Sequence, residues 1–254
     1  MPLTGYAAFR QIVWAALLAG VITGILTAIV QLVTTVPLIA QAEVYERSAS
    51  ATPPAGTQKK AELNHVHEER HIDAQMRDHH ERGFAGWEPQ DGVERIAYTG
   101  LTTILAAFGY ALLLGAALSQ TRAAGLRAGL YFGAAGFLVF QLAPALGLPP
   151  EPPGVPMAEL YPRQVWWLGT VTATALALAC WYFARSRSKR VWIPVGMVLI
   201  ILPHVIGAPH TPADASAVPD ELVRRFSAVA LVTAAFFWLM LGALMGYLYG
   251  NRSA

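Results

Sequence analysis

The 254-residue chain has little charge and almost no cysteine. Its single cysteine, Cys180, can form no internal disulfide and can supply no CxxC metal site, so cysteine chemistry does not organise the protein. Charged residues make up 13% of the chain, against roughly 25% in ordinary soluble domains, which argues against a soluble globule. A net charge of +2 and the absence of any long Lys/Arg block leave nucleic acid without a footprint. The GxxxxGK[ST] phosphate loop and the HExxH and GxSxG hydrolase signatures are all missing, and the chain is read as not an enzyme.

What is present is apolar residue, 55% of the chain, and its arrangement is informative. Stretches free of Asp, Glu, Lys and Arg run for 32 residues after Arg10, 26 after Arg95, 23 after Arg127, 21 after Arg163, 23 after Arg190 and 26 after Arg225. A spanning helix needs about 20 apolar residues. The expectation is therefore an all-α, polytopic membrane helical bundle of about six transmembrane helices, forming a single membrane domain over 1–254. Spans are expected near 12–39, 96–119, 127–147, 165–184, 191–207 and 226–249. The fifth is short and carries Pro203 and His204 near its end, so five spans with a re-entrant segment is the alternative. Ala40-Gln41-Ala42 has the small-x-small pattern of a signal cleavage site, but the apolar run before it is about twice a signal core, and the first helix is expected to be retained.

Lys and Arg in short loops orient the bundle. With six spans, the terminal side carries Arg10, Arg122, Arg127, Arg185, Arg187, Lys189, Arg190 and Arg252, while the other side's short loops carry Arg163, Arg224 and Arg225. Both termini are thus expected in the cytoplasm. On that topology all 16 Asp and Glu and all 7 His face outward, although the orientation rule says little about either. A face rich in carboxylate and imidazole donors is suited to collecting divalent cations.

Five of those histidines fall in the 40–95 loop, expected to be extracytoplasmic. His65, His67, His71, His79 and His80 lie in a strongly charged stretch, and on a helix His67 and His71 would stand one turn apart, able to reach one metal. Such a tract reads as a loose capture surface for Co, Ni, Cu or Zn, or alternatively as a solvated charged helix. Its grip on metal would weaken as imidazoles protonate below about 6.5.

Three spans end near proline, at Pro37, Pro144 and Pro203, where a missing donor frees a carbonyl or simply stops the helix. Gln31, Gln141 and His204 gather at the same level and are candidate pathway or ligand groups, His204 foremost because an ionisable group at membrane depth is functional by default. Glu43 and Glu46 follow the first span at i and i+3 and are candidate hard-cation ligands or an ordinary polar cap. His210, the last histidine, joins the candidate metal ligands. Tyr161, Trp166 and Trp167 read as an interfacial aromatic belt. Gly20/Gly24, Gly125/Gly129 and Gly242/Gly246 read as close helix packing.

Six stretches carry a family resemblance: VPLIAQAEVYE from Val36, DGVER from Asp91, FQLAPALGLPPEPPG from Phe140, RQVWW from Arg163, PHVIGAP from Pro203 and AVP from Ala217. Together they resemble the CbtA family of predicted cobalt transporter subunits along nearly the whole chain. The resemblance implies Co²⁺ uptake for cobalamin synthesis across a bacterial inner membrane, with Ni²⁺ and Zn²⁺ compatible with the same donors. It also implies a partner, CbtB, a small subunit with one span and a His-rich end. Membrane lipid is a further partner, and a homo-oligomer is compatible with the reading. A non-transporting metal receptor or scaffold is the alternative from another class, because no charged residue stands at the midplane.

Overall fold

The computed structural model describes residues 3–51, 92–121, 125–184, 189–210 and 216–250. Among them the chain is helical, with no strand. Helix α1 is Leu3–Val33, α2 is Thr35–Ala51 and α3 is Val93–Ser119. Helix α4 runs over Leu126–Ala145 and includes a π-helical turn at Leu138–Leu142. Helix α5 is Leu160–Phe183, α6 is Lys189–Ile206 and α7 is Asp220–Gly250. Five helices, α1, α3, α4, α5 and α7, are long and apolar enough to cross a membrane. The apolar part of α6, Arg190–Ile206, falls just below that length.

The apolar run after Arg10 is divided between two helices, for a reason that lies in three residues. Pro37 has no N–H to offer the Val33 carbonyl. The Thr34 and Thr35 hydroxyls donate to Val30 O at 2.6 Å and Gln31 O at 3.2 Å, and Thr34 N–H closes a tighter turn on Gln31 O at 3.3 Å. Helix α1 therefore stops at Val33, and Pro37 sits in the first turn of α2, where its missing donor costs nothing.

Small residues let the helices approach closely. Ala15, Ala16, Ala19, Ala107 and Ala111 join Leu114, Leu118, Trp238, Leu241 and Met245 in a core shared by α1, α3 and α7. A Cβ on Gly20 or Gly24 would strike Phe108 or Ile104 of α3, and one on Gly129 or Gly133 would strike the α7 backbone around Gly242. The glycine pairs read from the sequence are thus the contact seams of α1 with α3 and of α4 with α7.

Helices α5 and α6 form an antiparallel hairpin beside this four-helix core. Two tryptophans of α5 clamp α6: Trp181 Nε1 donates to Ile193 O at 3.3 Å and Trp166 Nε1 to Pro203 O at 3.0 Å. Gly196 leaves room for the Trp181 ring. The hairpin meets the rest of the molecule mainly through the π-helical end of α4.

Candidate functional site

The candidates that the structure describes, Gln31, Glu43, Glu46, Gln141, His204 and His210, lie toward the α2 end of the bundle. There the ends of α1, α4 and α6 meet the starts of α3, α5 and α7, and two long-range bonds tie the level together. Arg95 on α3 pairs with Glu43 on α2 at 2.7 Å, and Ser227 on α7 donates to Pro150 O. Gly154, at φ 82°, adopts a conformation that favours glycine. A Cβ there would press on Glu46 and Val218, so the segment after α4 packs against α2.

His204 occupies the last turn of α6. Pro203 precedes it, within the helix and three residues before its end, and Pro203 O accepts from both Trp166 Nε1 at 3.0 Å and Gly207 N–H at 3.1 Å. Gly207, at φ 86°, turns the chain out of the helix. The His204 ring lies edge-on to Trp166, with centroids 5.8 Å apart and an interplanar angle of 68°. His204 Nε2 is buried and makes no hydrogen bond within the described chain. An unmet imidazole nitrogen in an apolar setting is costly, and a metal or a hydrogen-bonding ligand would meet that cost. Trp166 is only 9% exposed. It is therefore a buried structural group and not the belt residue expected from sequence, because its indole N–H finds an acceptor inside the protein.

Gln141 lies in the π-helical turn of α4. Such single-turn insertions occur frequently at functional sites. This one sets Phe140 flat on Trp238, with centroids 5.3 Å apart and planes 8° from parallel. Gln141 lines a cavity of about 560 Å³ with Glu151, Met157, Arg163, Gln164 and Trp167. A second cavity of about 410 Å³ shares Glu151, Met157 and Arg163 in its wall and adds His210, Ser216 and Asp220. Arg163 Nη1 donates to the Met157 sulfur at 3.0 Å at this shared wall. Sequence reasoning singled out Gln141 and His210 but missed Glu151, Gln164 and Asp220, which only the fold brings to the same cavities. Glu151 does fall within FQLAPALGLPPEPPG, one of the stretches that carry the family resemblance.

The other candidates are distributed around this centre. Gln31 sits one turn below the α1–α2 break, with Oε1 3.5 Å from Thr103 Oγ1. Glu43 and Glu46 share a face of α2, Glu43 already bound to Arg95. His210 is exposed beyond α6. His65, His67, His71, His79 and His80 lie outside the described residues. Among the described residues, no three His, Cys, Asp or Glu side chains converge as a metal site.

A family model described as "Probable cobalt transporter subunit (CbtA)" matches residues 9–250. The chain belongs to the CbtA family. This CbtA chain is accordingly a multi-pass membrane protein of a transporter-subunit family, not an enzyme, with cobalt as the ion its family points to. A subunit implies partner subunits. No curated protein and no solved structure matches the chain.

Proposed function

We propose that this CbtA chain moves Co²⁺ inward across a bacterial inner membrane for cobalamin synthesis, with both termini in the cytoplasm and α6 as a sixth span. In this reading His65, His67, His71, His79 and His80 concentrate the ion outside. The two cavities at the α2 end receive it, with His210, Glu151 and Asp220 at the rim and Gln141 deeper. His204 is the imidazole ligand beside them, Glu43 and Glu46 hold the α2 side of the mouth, and Gln31 continues the route into the bundle. A small single-span partner with a His-rich end, CbtB, would pass or receive the ion. Ni²⁺ and Zn²⁺ suit the same nitrogen and oxygen donors, and selection among them would rest on geometry and supply.

The observation that carries the reading is the buried, unmet Nε2 of His204 next to Trp166 and the Pro203 carbonyl, in a chain whose family is named for cobalt. Uptake of radioactive Co²⁺ by cells expressing the chain with its partner tests it. A His204→Ala, Glu43→Ala double variant is expected to lose most uptake while reaching the membrane in normal amount, and equal uptake would sink the site assignment.

A second reading is a metal receptor that hands the ion to the partner without moving it. The absence of Asp, Glu, Lys and Arg from the middle of the spans favours it, because ion pathways ordinarily carry such a residue there. Purified chain reconstituted alone into vesicles separates the two, since only a transporter accumulates the ion there.

A further inference from the structure

Threonine in this protein usually returns its hydroxyl to the backbone. Thr170 and Thr174 on α5, fully or almost fully buried, donate to the carbonyls four residues back at 3.0 and 2.8 Å, and Thr34, Thr99 and Thr103 do the same. Two threonines on α1 depart from the habit. Thr23 is 0% and Thr27 3% exposed, yet neither hydroxyl makes a hydrogen bond within the described chain. They stand one turn apart, and Gln31 continues the same row one turn higher. Gln31 Oε1 is itself poorly served, because Thr103, 3.5 Å away, has a single hydroxyl proton and donates it to Thr99 O at 2.7 Å.

This row has a definite place. It begins just below the α1–α2 break, where Gln31 lies beside Thr103 of α3, and descends along α1, on which both α3 and α7 pack. Gln11 Nε2 donates to Tyr249 O at 3.1 Å, an antiparallel register that sets Thr233 of α7, 5% exposed, level with Thr27. At 1.5 Å per residue Thr27 lies about 9 Å and Thr23 about 15 Å below Val33. In a hydrocarbon layer about 30 Å thick, Thr23 is close to the middle. Unmet donors are costly in such surroundings, and buried polar atoms without a protein partner are ordinarily met by water or an ion.

We propose that Thr23, Thr27 and Gln31 form a polar passage from the α2 end to the middle of the membrane that takes a divalent cation with its water. Neutral hydroxyl and amide oxygens are weak competitors for the first shell of such an ion. They serve it by hydrogen-bonding to the bound waters, which spares it full dehydration. The passage supplies polarity at a depth where the chain has no charged residue. It rests on the transport reading for the identity of the ion but not for its own existence.

Two measurements on the full-length chain test it. In cells carrying the complete transporter, a Thr23→Val, Thr27→Val double variant keeps the side-chain shape and removes both hydroxyls. Its Co²⁺ uptake is expected to fall at least fivefold, while the Thr23→Ser, Thr27→Ser variant stays within twofold of the parent. The Val variant should melt no lower than the parent, since it loses donors that had no partner. Uptake by the Val variant equal to the parent overturns the proposal. In the second measurement, Thr27→Cys in a Cys180→Ser background is exposed to Ag⁺ in membrane vesicles. Reaction slowed by added Co²⁺ is expected, and an inert thiol overturns the passage. Should the parent take up no cobalt, the transport reading falls and the thiol reaction alone decides.

Discussion

At the scale of single residues, Trp166 connects stability to the site. Its indole N–H bonds Pro203 O in a buried setting. Because Gly207 N–H also serves that carbonyl, Trp166→Phe leaves no acceptor unmet and should cost about 1 kcal/mol. Trp166→Ala empties the space beside Gly147 and His204 and should cost about 3–5 kcal/mol. Thermal unfolding in detergent measures both, and near-equal melting temperatures for the two variants would contradict the packing described. The Glu43–Arg95 pair contributes less. Its side chains are 28% and 46% exposed, so a double-mutant cycle on stability should give under about 1 kcal/mol.

At the scale of elements, the glycine seam between α4 and α7 is the most demanding contact. A Cβ on Gly242 meets the Gly129 carbonyl and the Gly133 backbone, and backbone cannot move aside as a flexible side chain can. Gly242→Ala should therefore cut the yield of folded protein severely, read by size-exclusion after detergent extraction. Gly109 on α3 has open space where a Cβ would stand. Gly109→Ala should raise the melting temperature, by about 0.5–1 kcal/mol of helix propensity. Opposite outcomes for the two substitutions would reverse the assignment of faces. Helix α6 differs from its neighbours: it carries two internal prolines and packs chiefly on α5. Its amides should exchange with deuterium faster than those of α7, which mass spectrometry after peptic digestion resolves.

At the scale of the whole molecule, a four-helix core and an attached hairpin meet around the two cavities at the α2 end. The proposed capture by the histidine loop has a kinetic signature of its own. Replacing His65, His67, His71, His79 and His80 together by Ala should raise the Co²⁺ concentration for half-maximal uptake several-fold and leave the maximal rate near that of the parent, because the loop concentrates the ion and does not line its route. A fall in maximal rate at unchanged half-saturation would assign the loop a different role. Concentration curves of radioactive cobalt uptake distinguish the two.

Helix, membrane and family were legible in the chain itself, because they depend on quantities that a linear order carries. A run of uncharged residues measures a span against a hydrocarbon layer whatever its neighbours are. Glycines four apart mark a face that must be approached closely, and the six matching stretches resemble CbtA in linear order alone. The α1–α2 break was half legible: Pro37 signalled an end, but only the bonds of Thr34 and Thr35 to the preceding turn show why the helix stops at Val33. Partnership was not legible. That Trp166 is buried against Pro203 and His204, that Glu151 and Asp220 wall the cavities reached by Gln141 and His210, and that Thr23 and Thr27 lack the partners Thr170 and Thr174 possess, all depend on residues far apart in the chain or on side-chain orientation. Sequence determines how far each segment can cross and which side chains it carries. Only packing decides which polar groups are met by the protein and which are left for an ion and its water, because that depends on which atoms tertiary contact brings within hydrogen-bond reach.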